Sequence, residues 1–345
     1  MASSTDRSTE FDTDAAIEAF EEGLSGRPGA DDADPLPGPA ASRAPDPSDH
    51  LAVGVQVLRD LLRIEDRPNR VRRVLRIWES KVSTAIRSRD LHAAEAWLRG
   101  VTADTAIPPE HAEAVGASIA ALSRPALIDD LLVWLVHTDS VADAAGLFAE
   151  WGDPIVGRMI DLMALDDPPV NRRYMVEVLT MIGRSDSRLL APHIGDHRWF
   201  IVRNVAIALG HSGRLATIPV LRNLLSHEDA RVRVEAARGL ATVDSEASVG
   251  DLIAALSDPD GRVRQVAVSL LRACPSPEVV TRLSTVVVTG KISGPEAERL
   301  VEVIGERKDE AAREALEQIV ARRGRGGAPK AIRVAAKHQL ERRAS

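Results

Sequence analysis

A pattern that returns every 31 residues between Trp199 and Val288 constrains this chain more than anything else in it. Ile201, Val232 and Val263 keep that step, as do Val205, Ala236 and Ala267, and then Leu209, Leu240 and Leu271. A second set keeps it too: Ile218, Val249 and Val280; Leu221, Leu252 and Leu283; Leu225, Leu256 and Val287. A fixed period in this range marks a stacked repeat array. Within one copy the first set runs i, i+4, i+8 and the second i, i+3, i+7. Both are helical spacings, each giving one apolar stripe. Gly210-His211-Ser212-Gly213 separates the helices of the first copy. Ser276-Pro277-Glu278 reads as the start of the last second helix, with Ser276 as N-cap and Pro277 at the first helical position. Asp229 and Asp260 stand where the next first helices begin, the favoured place for a capping carboxylate. Each copy is thus a helical hairpin that cannot bury its own apolar faces, so neighbours must stack. The expected fold class is all-α, an α-solenoid.

The stretches VRVEAARGL (Val232 to Leu240) and VRQVAVSLL (Val263 to Leu271) resemble the HEAT family, most closely the short bacterial HEAT-like repeats also found in phycobilin lyases. The family's Asp-x-x-x-Arg element stands here as Asp229/Arg233 and Asp260/Arg264, while the first copy has Arg198 and Val202 in those places. The resemblance implies a solenoid of HEAT-like hairpins and says little about activity, because that family serves many unrelated purposes. A bilin-lyase kinship would imply tetrapyrrole handling and attachment to a cysteine of another protein. HEAT-like DNA glycosylases need an electropositive channel with aromatic residues. Tyr174 is the only tyrosine and the central array is acidic, which argues against that activity.

The remaining segments extend the pattern more loosely. Residues 1–50 read as a disordered acidic tail: Pro28, Pro35, Pro37, Pro39, Pro45 and Pro47 break helices, and twelve Asp/Glu face three Arg. Within it, Phe11 to Leu24 has the spacing of a short helix, with Ile17, Phe20 and Leu24 on one face. Residues 51–107 read as lead-in hairpins. There Val71, Val74, Leu75, Trp78, Val82 and Ile86 form an apolar stripe, and Arg70, Arg72, Arg73, Arg76, Lys81 and Arg87 form a basic face. Residues 108–322 read as the repeat array, its strict copies at 199–288. Gly152, Gly183 and Gly210 are read as closing first helices, and Leu189 to Ile194 as a shortened second helix. Thr285 to Thr289 has strand propensity, but the register makes it the end of a second helix. Gly324 to Gly327 reads as a break, and 323–345 as a basic capping segment.

Composition bounds the function classes. Aromatics are 3% of the 345 residues, so Leu, Val, Ile and Ala must do the packing. No long charge-free apolar run and no signal-peptide pattern is read, and Cys274 is alone, so the expected location is the cytoplasm. Basic segments at Arg67 to Arg89 and after Arg322 suit nucleic acid or an anionic membrane, with steep salt dependence.

No catalytic constellation emerges. His193, His197, His211 and His227 cluster without HExxH or CxxC spacing, so no metal is expected. Thr289-Gly290-Lys291-Ile292 fails as a P-loop end, with Thr285 in place of the first glycine and Ile292 in place of Ser or Thr. No cofactor is expected. The residues singled out for partner binding are Trp199, Arg203, Asn204, Arg233 and Arg264. Trp199 and Phe200 beside Arg203 and Asn204 have the composition of a binding hot spot. The arginines of the Asp-x-x-x-Arg pairs suit either a ladder between copies or an acidic ligand. The leading expectation is a non-enzymatic scaffold that holds a protein or peptide along its stacked second helices. The alternatives are a bilin-lyase-like protein and a nucleic-acid or membrane-associated one.

Overall fold

The computed structural model of this chain describes residues 47–138, 142–168, 170–322 and 328–344, and every regular element among them is a helix. The acidic segment 1–46, with its 11–24 stretch, and the break at 324–327 lie outside the described residues. The chain divides into two compact units, one up to Arg158 and one from Met159.

The first unit contains α1 (Pro47–Ile64), α2 (Pro68–Arg87), α3 (Leu91–Thr102), α4 (Ala112–Leu122), α5 (Pro125–Thr138), α6 (Ala145–Trp151) and the start of α7 (Asp153–Met163). Pro68 opens α2, where its missing N–H costs nothing. The stripe Val71, Val74, Leu75, Trp78, Val82 and Ile86 is fully buried, and α3 answers it with Ala94, Trp97 and Leu98. Each such side chain contributes about 1.5–3 kcal/mol by leaving water. The buried Trp78 Nε1 donates to the Trp97 carbonyl at 2.6 Å, so the indole adds no unpaired donor. Asp90 caps α3 by accepting from the Ala93 N–H at 2.9 Å.

The second unit carries the periodic stretch. After α8 (Arg172–Ser185), two 3₁₀ turns, Ser187–Leu189 and Ala191–Gly195, replace a second helix, as the shortened segment predicts. The hairpins that follow are α9 (Trp199–His211) with α10 (Ile218–Leu224), α11 (Ala230–Val243) with α12 (Val249–Ala255), and α13 (Gly261–Ala273) with α14 (Glu278–Val288). Their first helices begin at Trp199, Ala230 and Gly261, one 31-residue step apart. The periodic columns are the core: all nine first-helix positions are buried, and of the second-helix positions only Ile218 and Leu225 are half-buried. The first helices pack in file, α9 on α11, α11 on α13, and α13 on α15 (Pro295–Glu306). α16 (Glu310–Ala321) packs on α14, and α17 (Lys330–Ala344) lies against both α15 and α16, burying Ala328, Ile332 and Ala336. The valine run at 286–288 is helical, as the register requires.

Two local expectations are corrected. Gly152 does end α6 with φ +67°, but Gly183 and Gly210 lie inside the last turns of α8 and α9. Their missing Cβ serves close approach, since one on Gly210 would fall 2.5 Å from the Gly239 Cα of α11. The start of α14 also differs: Pro277 occupies the N-cap, no side chain caps it, and Glu278 is the first helical residue. Arg307 holds the Cys274 and Ser276 carbonyls, which pins the segment before α14 and leaves Ser276 buried rather than capping.

Candidate partner-binding surface

The start of each first helix organises the polar residues. Asp229 Oδ1 accepts from the Arg231 N–H at 2.8 Å, and Asp260 Oδ1 from the Arg262 N–H at 2.8 Å, so both are the expected N-caps. Each carboxylate also takes the guanidinium of that same i+2 arginine in a two-pronged contact. Arg233 and Arg264 therefore do not pair with the aspartates four residues before them. A helical side chain leans toward the helix N-terminus, so Arg233 reaches back to the His227 and Glu228 carbonyls, both at 2.9 Å. Its remaining nitrogens meet Asp258 of the next copy at 2.7 and 2.8 Å. Arg264 repeats this with the Asp258 and Pro259 carbonyls and with Glu296, at 2.9 Å. These are ties between copies.

The first copy lacks the register aspartate, yet Asp196 supplies the same contact two residues early. It accepts from the Arg198 N–H at 2.8 Å and from the Arg198 guanidinium at 2.9 and 2.6 Å. A search for Asp-x-Arg would have found it in the sequence. The Arg198 side chain holds the Asp196 carboxyl down at about 2, and Arg231 does the same to Asp229, also at about 2. Asp260 is lowered likewise by Arg262.

The aromatic pair is covered from the next hairpin. Trp199 and Phe200 meet edge to face, with centroids 5.9 Å apart, and the Arg231 guanidinium lies over the Trp199 ring, 3.2 Å from its centroid. Arg203 reaches Glu235 on α11 at 3.1 Å. Asn204 is buried and its Nδ2 lies 3.5 Å from the Met163 sulfur. Of the five residues singled out, Trp199, Arg203 and Arg264 are half-buried, while Asn204 and Arg233 are buried. His197 stands 3.7 Å from Asp196, and the His227 Nδ1 accepts from the Asp229 N–H. Among the described residues no three His, Cys, Asp or Glu side chains are placed to hold a metal ion. No helix among them is long and apolar enough to cross a membrane.

The second helices offer a different surface. Their exposed positions include small or hydroxyl-bearing residues, Asn223 and Ser226, Ala254 and Ser257, Thr281, Thr285 and Thr289, beside Arg222, Glu278 and Arg282. Between α14 and α16 they leave a groove of about 190 Å³ lined by these threonines, Glu314, Gln318 and Arg322. Sequence reasoning named no residue there, because threonines on a helix carry no signature until the neighbouring helix faces them.

No curated protein matches the sequence significantly. Among solved structures, the chain is similar to the complex of CpcE and CpcF of phycocyanin lyase from Nostoc sp. PCC7120, at 14% identity over 65% of this chain and 92% of that chain, with a TM-score of 0.31. It is similar to the archaeal HEAT-like repeats protein from Thermococcus onnurineus NA1, at 15% identity over 63% of this chain and 97% of that chain, with a TM-score of 0.31. It is also similar to human deoxyhypusine hydroxylase in complex with glycerol, at 14% identity over 86% of this chain and 98% of that chain, with a TM-score of 0.30. The sequence model of the family described as HEAT repeats matches residues 218–291, so the hairpins from α10 through α14 are HEAT repeats.

Proposed function

We propose that this protein is a non-enzymatic scaffold that holds a peptide segment of a partner protein along the outward faces of its second helices, in the cytoplasm. The observation that carries the reading is the groove between α14 and α16. Its threonine hydroxyls are small enough to let a peptide backbone approach, and Glu314, Gln318 and Arg322 offer donors and acceptors along one wall. Hairpin stacking repeats that outward face on α10 and α12, which suits an extended ligand better than a compact one. On this reading the array spans 108–322, behind the lead-in hairpins of 51–107 and before the basic segment 323–345. Trp199, Arg203 and Arg264 contribute accessible edges, whereas Asn204 and Arg233 fix the helix faces from beneath.

The test is site-specific crosslinking in cells. A photoreactive residue at Thr285 should give a discrete protein adduct, and one at Glu113, exposed on α4, should not. Adducts of equal yield at both positions, or none at Thr285, would end the groove reading. Thr285→Arg, which fills the groove, should abolish the adduct at a second reporter placed at Gln318.

A further inference from the structure

A second surface lies in the first unit. Arg76, Ser80, Ser83 and Arg87 fall at i, i+4, i+7 and i+11 of α2, one stripe of that helix, and they wall a cleft of about 660 Å³ opposite Arg124 and Leu127. The two α2 arginines stand about 16 Å apart along the axis. Small hydroxyls separate them, so the middle of the cleft is open. Among the described residues Arg76, Arg87 and Arg124 make no ion pair. Two carboxylates also line the cleft, and one of them, Asp130, is already held by Arg89 at 2.9 Å. Glu79 alone offsets three guanidinium groups. Such a surface draws an anionic occupant, and the attraction is sensitive to salt because it is exposed.

The chain itself supplies one. Between Asp6 and Glu22 seven Asp/Glu stand against Arg7 alone, with Ile17, Phe20 and Leu24 interleaved. The first described helix, α1, begins at Pro47 and packs on α2 and α3. The intervening stretch, residues 25–46, is 22 residues long and spans at most about 80 Å when extended, ample to return to α2. A tether of that length keeps the segment at an effective concentration in the millimolar range. We infer that residues 6–24 bind in cis to the α2 cleft, their carboxylates on Arg76, Arg87 and Arg124 and their apolar residues toward Ala126 and Leu127. The contact concerns a different surface from the second-helix groove and stands or falls separately.

The experiment uses the full chain carrying Glu18→Cys and Ser83→Cys, with the buried Cys274 left in place. A short bis-maleimide should give an intramolecular crosslink in monomeric protein at ~0.05 M salt, and several-fold less at ~0.5 M, where the Debye length is only ~4 Å. Adding Arg76→Glu, Arg87→Glu and Arg124→Glu should cut the yield several-fold. Because these side chains are exposed, an unchanged circular dichroism melt is expected, and the Gln versions give a milder check. Equal yield in the charge-reversed chain would overturn the inference. So would equal yield when the second cysteine replaces Ser269 on α13. Crosslinked dimers in place of monomers would overturn the cis assignment.

Discussion

Gly210 and Gly239 meet back to back where α9 crosses α11: a Cβ on Gly210 would lie 2.5 Å from the Gly239 Cα, against backbone with no side chain to swing away. Alanine favours a helix over glycine by about 1 kcal/mol, so propensity alone predicts that Gly210→Ala stabilises. Overpacking costs about 1–3 kcal/mol, and at this crossing it wins. Gly210→Ala should therefore lower the urea midpoint. Gly239→Ala should cost less, since its Cβ would meet the Leu221 Cδ2 at 3.0 Å, a side chain that can yield, and the Gly210 Cα only at 3.2 Å. Equal or raised midpoints in both variants would mean that the helices separate at no cost.

The two inter-copy arginines differ in depth, and their substitution should show it. The Arg233 and Asp258 side chains are 11% and 9% exposed, against 30% and 19% for Arg264 and Glu296. Arg233→Met leaves a buried carboxylate and two carbonyls without their donor, and should cost about 3 kcal/mol. Arg264→Met should cost about 1 kcal/mol or less, as a half-exposed pair does. Arg233→Lys should recover only part, because an ammonium cannot make the two-pronged contact. Thermal and urea denaturation of the three variants checks the order. Equal losses at 233 and 264 would remove burial as the explanation.

The hairpins from Trp199 to Val288 were legible because each buried column recurs at one spacing, and even the valine run followed the register against its own propensity. The glycines misled for a physical reason: a helix-ending glycine and a close-packing glycine look alike until the neighbouring helix is placed. The Asp-x-x-x-Arg element was legible only in part. Spacing shows that Asp229 and Arg233 are one turn apart, but not that Arg231 reaches the carboxylate first. The candidate surface was least legible. Asn204 and Arg233 have polar chemistry suited to recognition, yet they are turned inward, while the hydroxyl groove depends on α14 facing α16.

Acid stability should follow the aspartates that precede the first helices. Asp196 and Asp229 are lowered to about 2 from the ordinary 3.8, mainly by the side chains of Arg198 and Arg231. A carboxyl with a depressed folded pKa contributes stability that is full above the unfolded value and lost as pH falls through the folded one. The melting temperature should thus be flat from pH 7 to about 5 and fall between about 4 and 2. Asp229→Asn should lower it at pH 7 and shrink the acid-side fall. Melts across this range decide the matter: an unchanged pH profile in the variant would dissociate acid loss from the cap.

α14 separates packing from propensity most sharply, because both act on neighbouring residues with opposite sign. Val287 is fully buried, whereas Thr285 is exposed and bonds only the Thr281 carbonyl of its own helix, at 2.9 Å. Alanine is the better helix former than either, by up to about 0.7 kcal/mol. Val287→Ala also deletes buried methyls and leaves a cavity, at a cost of about 1–3 kcal/mol. Thr285→Ala deletes nothing buried. If tertiary stacking holds this valine-rich segment helical, Thr285→Ala raises the urea midpoint slightly and Val287→Ala lowers it clearly. A synthetic peptide of residues 276–291 should show no helical circular dichroism in water, since its own sequence favours extended backbone. A helical peptide together with a neutral Val287→Ala would place the cause in the segment itself rather than in the hairpins on either side.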